Sequence, residues 1–258
     1  MSKRLQELEY FAQKFRDANS LSEKEPIRIK SILQKNNILT VYKPLSSGLS
    51  GMSIKIKSET KKGEIDDNSI RFILVNSKHS IGKQHFTICH ELYHLYFQEK
   101  FSSSISFAGK FDKKGNPEEY DADLFAAYLL LPKWGIWELI PEDERVKNKI
   151  SIATILSIEQ YYSCSHSSLL FRLVELKLID ENFRLQHLKG IKSYARKLGY
   201  DTRLYEEGNH NLVIGNYGTL AYKAWEDGII SESSYVSLLE DLGVDISKLS
   251  TSDDNGED

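Results

Sequence analysis

A chain of 258 residues that is 40% hydrophobic and 28% charged has the composition of an ordinary globular protein, long enough for one large domain or two small ones. No stretch approaches about 18 uninterrupted apolar residues, and the opening MSKRLQELEYFAQKF lacks the apolar core of a leader, so neither a membrane span nor a signal peptide is expected. The net charge of −3 is uneven: residues 1–132 carry 20 basic and 16 acidic side chains and residues 133–258 carry 14 and 21, so neither half has the basic footprint of a nucleic-acid binder.

Lys3 to Ala18 places Leu5, Leu8, Phe11, Ala12 and Phe15 at helical spacing. Ile27 to Gln34 predicts a second helix, with Pro26 in its first turn. The period then changes. Ile38–Tyr42, Gly51–Ile56 and Ile70–Val75 are short runs rich in strand formers, and polar Lys57–Asn68 predicts a hairpin loop between the last two. Three such strands predict a small antiparallel sheet. Ser80 is placed to cap the helix that follows.

Phe86 to Phe97, FTICHELYHLYF, contains the H-E-x-x-H pattern His90-Glu91-Leu92-Tyr93-His94. Residues four apart lie on one face of a helix, so both imidazoles can share one metal ion, for which zinc is the usual partner. Glu91 projects to the side and can serve as general base towards a water on that ion. The flanks Phe86, Ile88, Cys89, Leu92, Leu95, Tyr96 and Phe97 make the helix apolar almost all round, hence buried. Two histidines and a glutamate buried there cost several kcal/mol unless something compensates them, and a metal does. The two cysteines, Cys89 and Cys164, form no C-x-x-C, which fits a reducing, cytoplasmic setting.

A Ser/Gly/Lys loop over Phe101–Asn116 ends in Asn116-Pro117-Glu118-Glu119, a strong helix start. The helix, EEYDADLFAAYLLL, runs to about Leu131 and stops at Pro132. Zinc on two histidines needs a third protein ligand and an open fourth position. Spacing favours Glu119, with Glu118, Asp121 and Asp123 in competition and helix capping as its plainer role. Asp123, one turn on, can accept a proton from the far ring nitrogen of a zinc histidine and fix its orientation. Glu-x-x-x-Asp after H-E-x-x-H is similar to the thermolysin-like gluzincins.

FTICHELYHLYF followed by EEYDADLFAAYLLLP resembles the ImmA/IrrE metallopeptidases, whose pattern is F-T-x-A-H-E-x-x-H and then E-x-x-A-N-x-F-A with a Leu-rich stretch ending in Pro. The resemblance covers roughly residues 30–180. It departs at Cys89, where Ala is usual, and at Asp123, where Asn is usual; neither removes a ligand. It implies Zn2+ on His90, His94 and Glu119, with Glu91 catalytic. It also implies cytoplasmic cleavage of a helix-turn-helix repressor, in a family often encoded on phages or mobile elements.

The expected fold is α+β: a zincin-like domain over 1–132, a helical, helix-turn-helix-like segment over 133–185, a helical C-terminal extension over 186–250 and a disordered acidic tail over 251–258. Ile150–Tyr162 and Ser167–Leu178 form the helical pair. Its second helix offers only Arg172 and Lys177 against Glu175, so direct DNA binding is not expected. His166, His187, His210 and Cys164 lack ligand spacing. LGYDTRLYEE reads as an extended arm, and the stretch after it as helix, glycine turn and a helix started by Ser231. The competing class is a non-enzymatic regulator that sequesters a repressor or toxin partner, with zinc merely structural.

Overall fold

The computed structural model describes residues 3–56, 69–99, 101–112, 114–241 and 243. The hairpin loop expected over 57–68 and the acidic tail expected over 251–258 lie outside them. Helix α1 (Lys3–Ala18) buries Leu8, Ala12 and Phe15, the face its spacing predicts. Arg16 is buried with them, and its guanidinium donates to the carbonyls of Ser22, Glu25 and Leu129. Each of its three nitrogens thus meets a carbonyl oxygen, the compensation a buried cation needs. After α2 (Ile29–Lys35) come β1 (Ile38–Lys43), β2 (Gly51–Ile56) and β3 (Ile70–Asn76).

The sheet is mixed, where a purely antiparallel one was expected. Its order is β4-β2-β3-β1-β5, with β4 at Ser103–Ser106 and β5 at Val213–Ile214. β2 pairs antiparallel with β3 and β4, β5 antiparallel with β1, but β1 runs parallel to β3. The cause is the link between β1 and β2, which passes over the end of β3 instead of turning back in a hairpin. Asn76, fully buried, holds it there: its Nδ2 donates to the carbonyls of Ser46 and Leu49 (3.1 and 2.7 Å), and its Oδ1 accepts from Leu45 N (3.1 Å).

Helix α3 (Ile81–Tyr96) lies between the sheet and α4 (Pro117–Leu130), and α1 covers α4. Ser80 sits at the α3 cap position without a side-chain bond to it. The first turn is met by the expected arm instead: Ile81 N donates to the carbonyl of Glu206, and Gln84 Nε2 ties the turn to the carbonyls of Ser77, His79 and Gly208. The arm is in part a 3-10 turn at Arg203–Tyr205.

Beyond α5 (Lys133–Leu139), the expected pair is α6 (Ile152–Tyr162) and α7 (His166–Glu175). Arg172 points inward, donating to the Leu131 carbonyl and to Glu175 and lying over the Tyr128 ring. Short helices α8 (Glu181–His187) and α9 (Ile191–Lys197) follow, then α10 (Tyr217–Glu226) and α11 (Glu232–Asp241), the two helices expected on either side of a glycine turn in the C-terminal extension. One apolar cluster runs from Leu8 to Ile214. Among the described residues, no helix is long and apolar enough to cross a membrane.

Candidate metal centre

Helix α3 is apolar and buried, so its polar side chains stay inside only where the neighbouring elements answer them. His90 and His94 stand one turn apart with ring centroids 4.9 Å apart, and both are almost fully buried. Each ring is held from behind. His90 Nδ1 donates to Asp123 Oδ1 at 2.8 Å, and His94 Nδ1 to Gln98 Oε1 at 2.6 Å. A proton on each Nδ1 leaves both Nε2 atoms as lone-pair donors. Those two atoms face each other at 3.1 Å.

Helix α4 brings the third group. Asn116 caps it, accepting from Glu118 N at 3.0 Å, and Pro117 opens its first turn. Glu119 Oε2 lies 3.3 Å from His90 Nε2, and its Oε1 lies 3.3 Å from His94 Nε2. The competitors are engaged elsewhere: Glu118 accepts from the Tyr93 hydroxyl at 2.9 Å, and Asp121 pairs with Arg4. Asp123 sits behind His90, where its carboxylate also accepts from Gly109 N (2.7 Å) and Phe111 N (2.8 Å).

These distances test the site for a metal. Donor atoms held about 2.0–2.1 Å from one tetrahedral zinc are separated by about 3.3 Å, close to the 3.1, 3.3 and 3.3 Å found. Two lone pairs and a carboxylate aimed at one point demand positive charge there. A proton on His90 Nε2 would answer the same demand: burial alone would lower the His90 imidazole, but in the protonated ring the hydrogen bonds to Asp123 and Glu119 outweigh it and push it up to about 10. Burial would raise Glu119, yet the bonds from His90 and His94 hold its carboxyl far below the usual carboxylate range. His90, His94 and Glu119 form the one group of three candidate metal-ligating side chains within reach of a single ion among the described residues. His166 is occupied otherwise, by Glu159 and the His187 carbonyl.

Glu91 is fully buried beside this triad. Its Oε2 accepts from Ser53 Oγ at 2.6 Å, and its Oε1 has no hydrogen-bond partner among the described residues. Gly51 makes room there: a Cβ on it would come within 2.7 Å of Thr87 Cγ2, 2.8 Å of Leu74 O and 3.1 Å of Glu91 Oε1. Glu119 alone of the triad reaches the surface, its side chain 26% exposed, in a cleft of about 200 Å³ shared with Phe107, Lys110 and Tyr120.

Ser53, Gly51, Gln98 and the two amides on Asp123 escaped the sequence reading. Gln98 was within reach of it, four residues beyond His94. Ser53 was not, because nothing in a strand of small and apolar residues announces a carboxylate across the interface.

A small sheet laid against a helix bearing H-E-x-x-H, completed by a carboxylate from the next helix, defines a zincin-like metal site. Residues 37–174 match the model of the IrrE N-terminal-like domain of the M78 peptidases, and the chain belongs to that family. None of the curated proteins compared with it matches.

Proposed function

We propose that the protein is a zinc-dependent endopeptidase that hydrolyses a peptide bond in a cytoplasmic regulatory protein, a helix-turn-helix repressor being the substrate the family suggests. The observation that supports this most is the convergence of His90 Nε2, His94 Nε2 and Glu119 on one point, with a buried carboxylate oxygen of Glu91 left unpaired beside it. When bound, zinc supplies Lewis-acid polarisation of the scissile carbonyl and makes water acidic enough to attack near neutral pH. Glu91 takes the proton of the attacking water on Oε1 and returns it to the leaving nitrogen, while Ser53 holds the other oxygen still. Asp123 and Gln98 keep both histidines in the ligating tautomer.

A purely structural metal site has no use for a buried, half-satisfied glutamate, which weighs against the sequestering regulator. The test is incubation with the candidate repressor, with and without a chelator. Wild type yields fragments that chelation suppresses. Glu91→Gln keeps its zinc and yields none; wild-type cleavage by this variant would sink the mechanism. A stable, intact complex with wild type would instead identify a binder.

A further inference from the structure

The C-terminal helices α10 and α11 lie outside the matched family domain, and they close a cavity of about 830 Å³ against the ends of β1, β3 and α3. Cavities of this size are typical of small-molecule sites. Its two walls differ in chemistry. On one side stand Leu220, Ala221 and Ala224 of α10, Ile230 of the turn that follows it and Leu238 of α11. On the other stand Lys35, Ser69 and Arg71, with no carboxylate among the described lining residues.

Two groups on the polar wall are unsatisfied, whereas Lys35 Nζ donates to the Ala18 carbonyl. Ser69 is 7% exposed, and its hydroxyl has no hydrogen-bond partner among the described residues. Arg71 Nε is buried and equally unpartnered. The Arg71 guanidinium makes only a 3.5 Å contact from Nη1 to the Ser69 carbonyl and lies over the Tyr96 ring, 5.1 Å from its centroid. A buried donor without an acceptor is destabilising, and a carboxylate bound beside it would relieve that.

We propose that this cavity is a binding site for an amphiphilic organic carboxylate, its head group on Arg71 and Ser69 and its hydrocarbon body against α10 and α11. Two cations, an orphaned hydroxyl and an apolar far wall match such a ligand in charge, hydrogen bonding and size. A neutral apolar molecule would leave the guanidinium unanswered, and a small inorganic anion would leave the apolar wall empty. The proposal does not rest on the metal centre.

Isothermal titration of the full chain with dodecanoate, kept below its micelle concentration, tests it. Expected is saturable one-to-one binding with a dissociation constant of about 100 μM or tighter, the scale for a ligand of this size. Dodecyltrimethylammonium, with the same tail and the opposite charge, and acetate, with the head group alone, should each bind at least about 10-fold more weakly. Arg71→Gln should weaken dodecanoate about 10-fold or more. So should Leu220→Asp, at a side chain already 55% exposed, where folding is not at stake. No saturable binding by the wild type, equal affinity for the cationic amphiphile, or undiminished binding by both variants overturns the proposal.

Discussion

At Glu91 two oxygens of one carboxylate have been given different surroundings. Oε2 is pinned by Ser53 at 2.6 Å, and Oε1 is left open over Gly51. A base that must both accept and return a proton needs a fixed orientation more than it needs solvation. Ser53→Ala removes the pin while adding no bulk. It is expected to keep its zinc and its KM and to lose about 10-fold in kcat, read on a peptide spanning the cleaved bond; a fall confined to KM would show that Ser53 serves substrate binding instead. Asp123 acts one bond further back. Asp123→Ala frees the His90 ring and strands the amides of Gly109 and Phe111, so zinc affinity should drop about 10–100-fold in a competition titration with a chromogenic chelator. An unchanged affinity would mean that packing alone orients the ring.

Two helices of unlike design carry the triad. α3 is buried nearly all round and takes its first-turn acceptor from a segment more than a hundred residues later, at Glu206. α4 is capped by its own sequence, Asn116-Pro117, and that cap sits three residues from Glu119. Asn116→Ala should therefore cost about 1 kcal/mol in chemical denaturation, and the fraying should be felt at the ligand as weaker zinc binding. Stability unchanged within error would show that tertiary packing, not the cap, holds the first turn. The same contrast explains which elements could be read beforehand. The α4 start, the α3 motif and the α6–α7 pair rest on local patterns. The parallel pairing of β1 with β3 does not, because it depends on Asn76 seizing three backbone groups of the loop that crosses the strand end.

Across the molecule, a buried polar knot ties α6, α7 and the C-terminal arm. Glu159, fully buried, accepts from His166 Nδ1 at 2.5 Å and from the Tyr205 hydroxyl at 2.7 Å. Burial works to lower the His166 imidazole, but the bond to Glu159 prevails and raises it above its ordinary value of about 6.5. A raised folded value means that the charged pair contributes fully below about pH 6.5 and that its contribution is lost as pH rises through the folded pKa. Denaturation of wild type and His166→Gln should accordingly differ most near pH 6, with the gap narrowing towards alkaline pH. A gap that widened with pH would show that the histidine is held neutral. This knot was invisible beforehand, since His166, Glu159 and Tyr205 share no spacing that marks them as partners.

The order of residues alone marked the candidate metal-ligating pair, the proposed base between them, the helix bearing the carboxylates and the α+β class. Each is a short-range pattern whose meaning follows from the 3.6-residue turn or the two-residue pleat. Only the tertiary structure decided that Glu119, and not Glu118 or Asp121, meets the histidines, that Ser53 holds the glutamate of the motif, and that the C-terminal helices line a cavity. Those choices hang on which side chains are brought together across dozens of residues, and distance along a chain carries no information about direction in space.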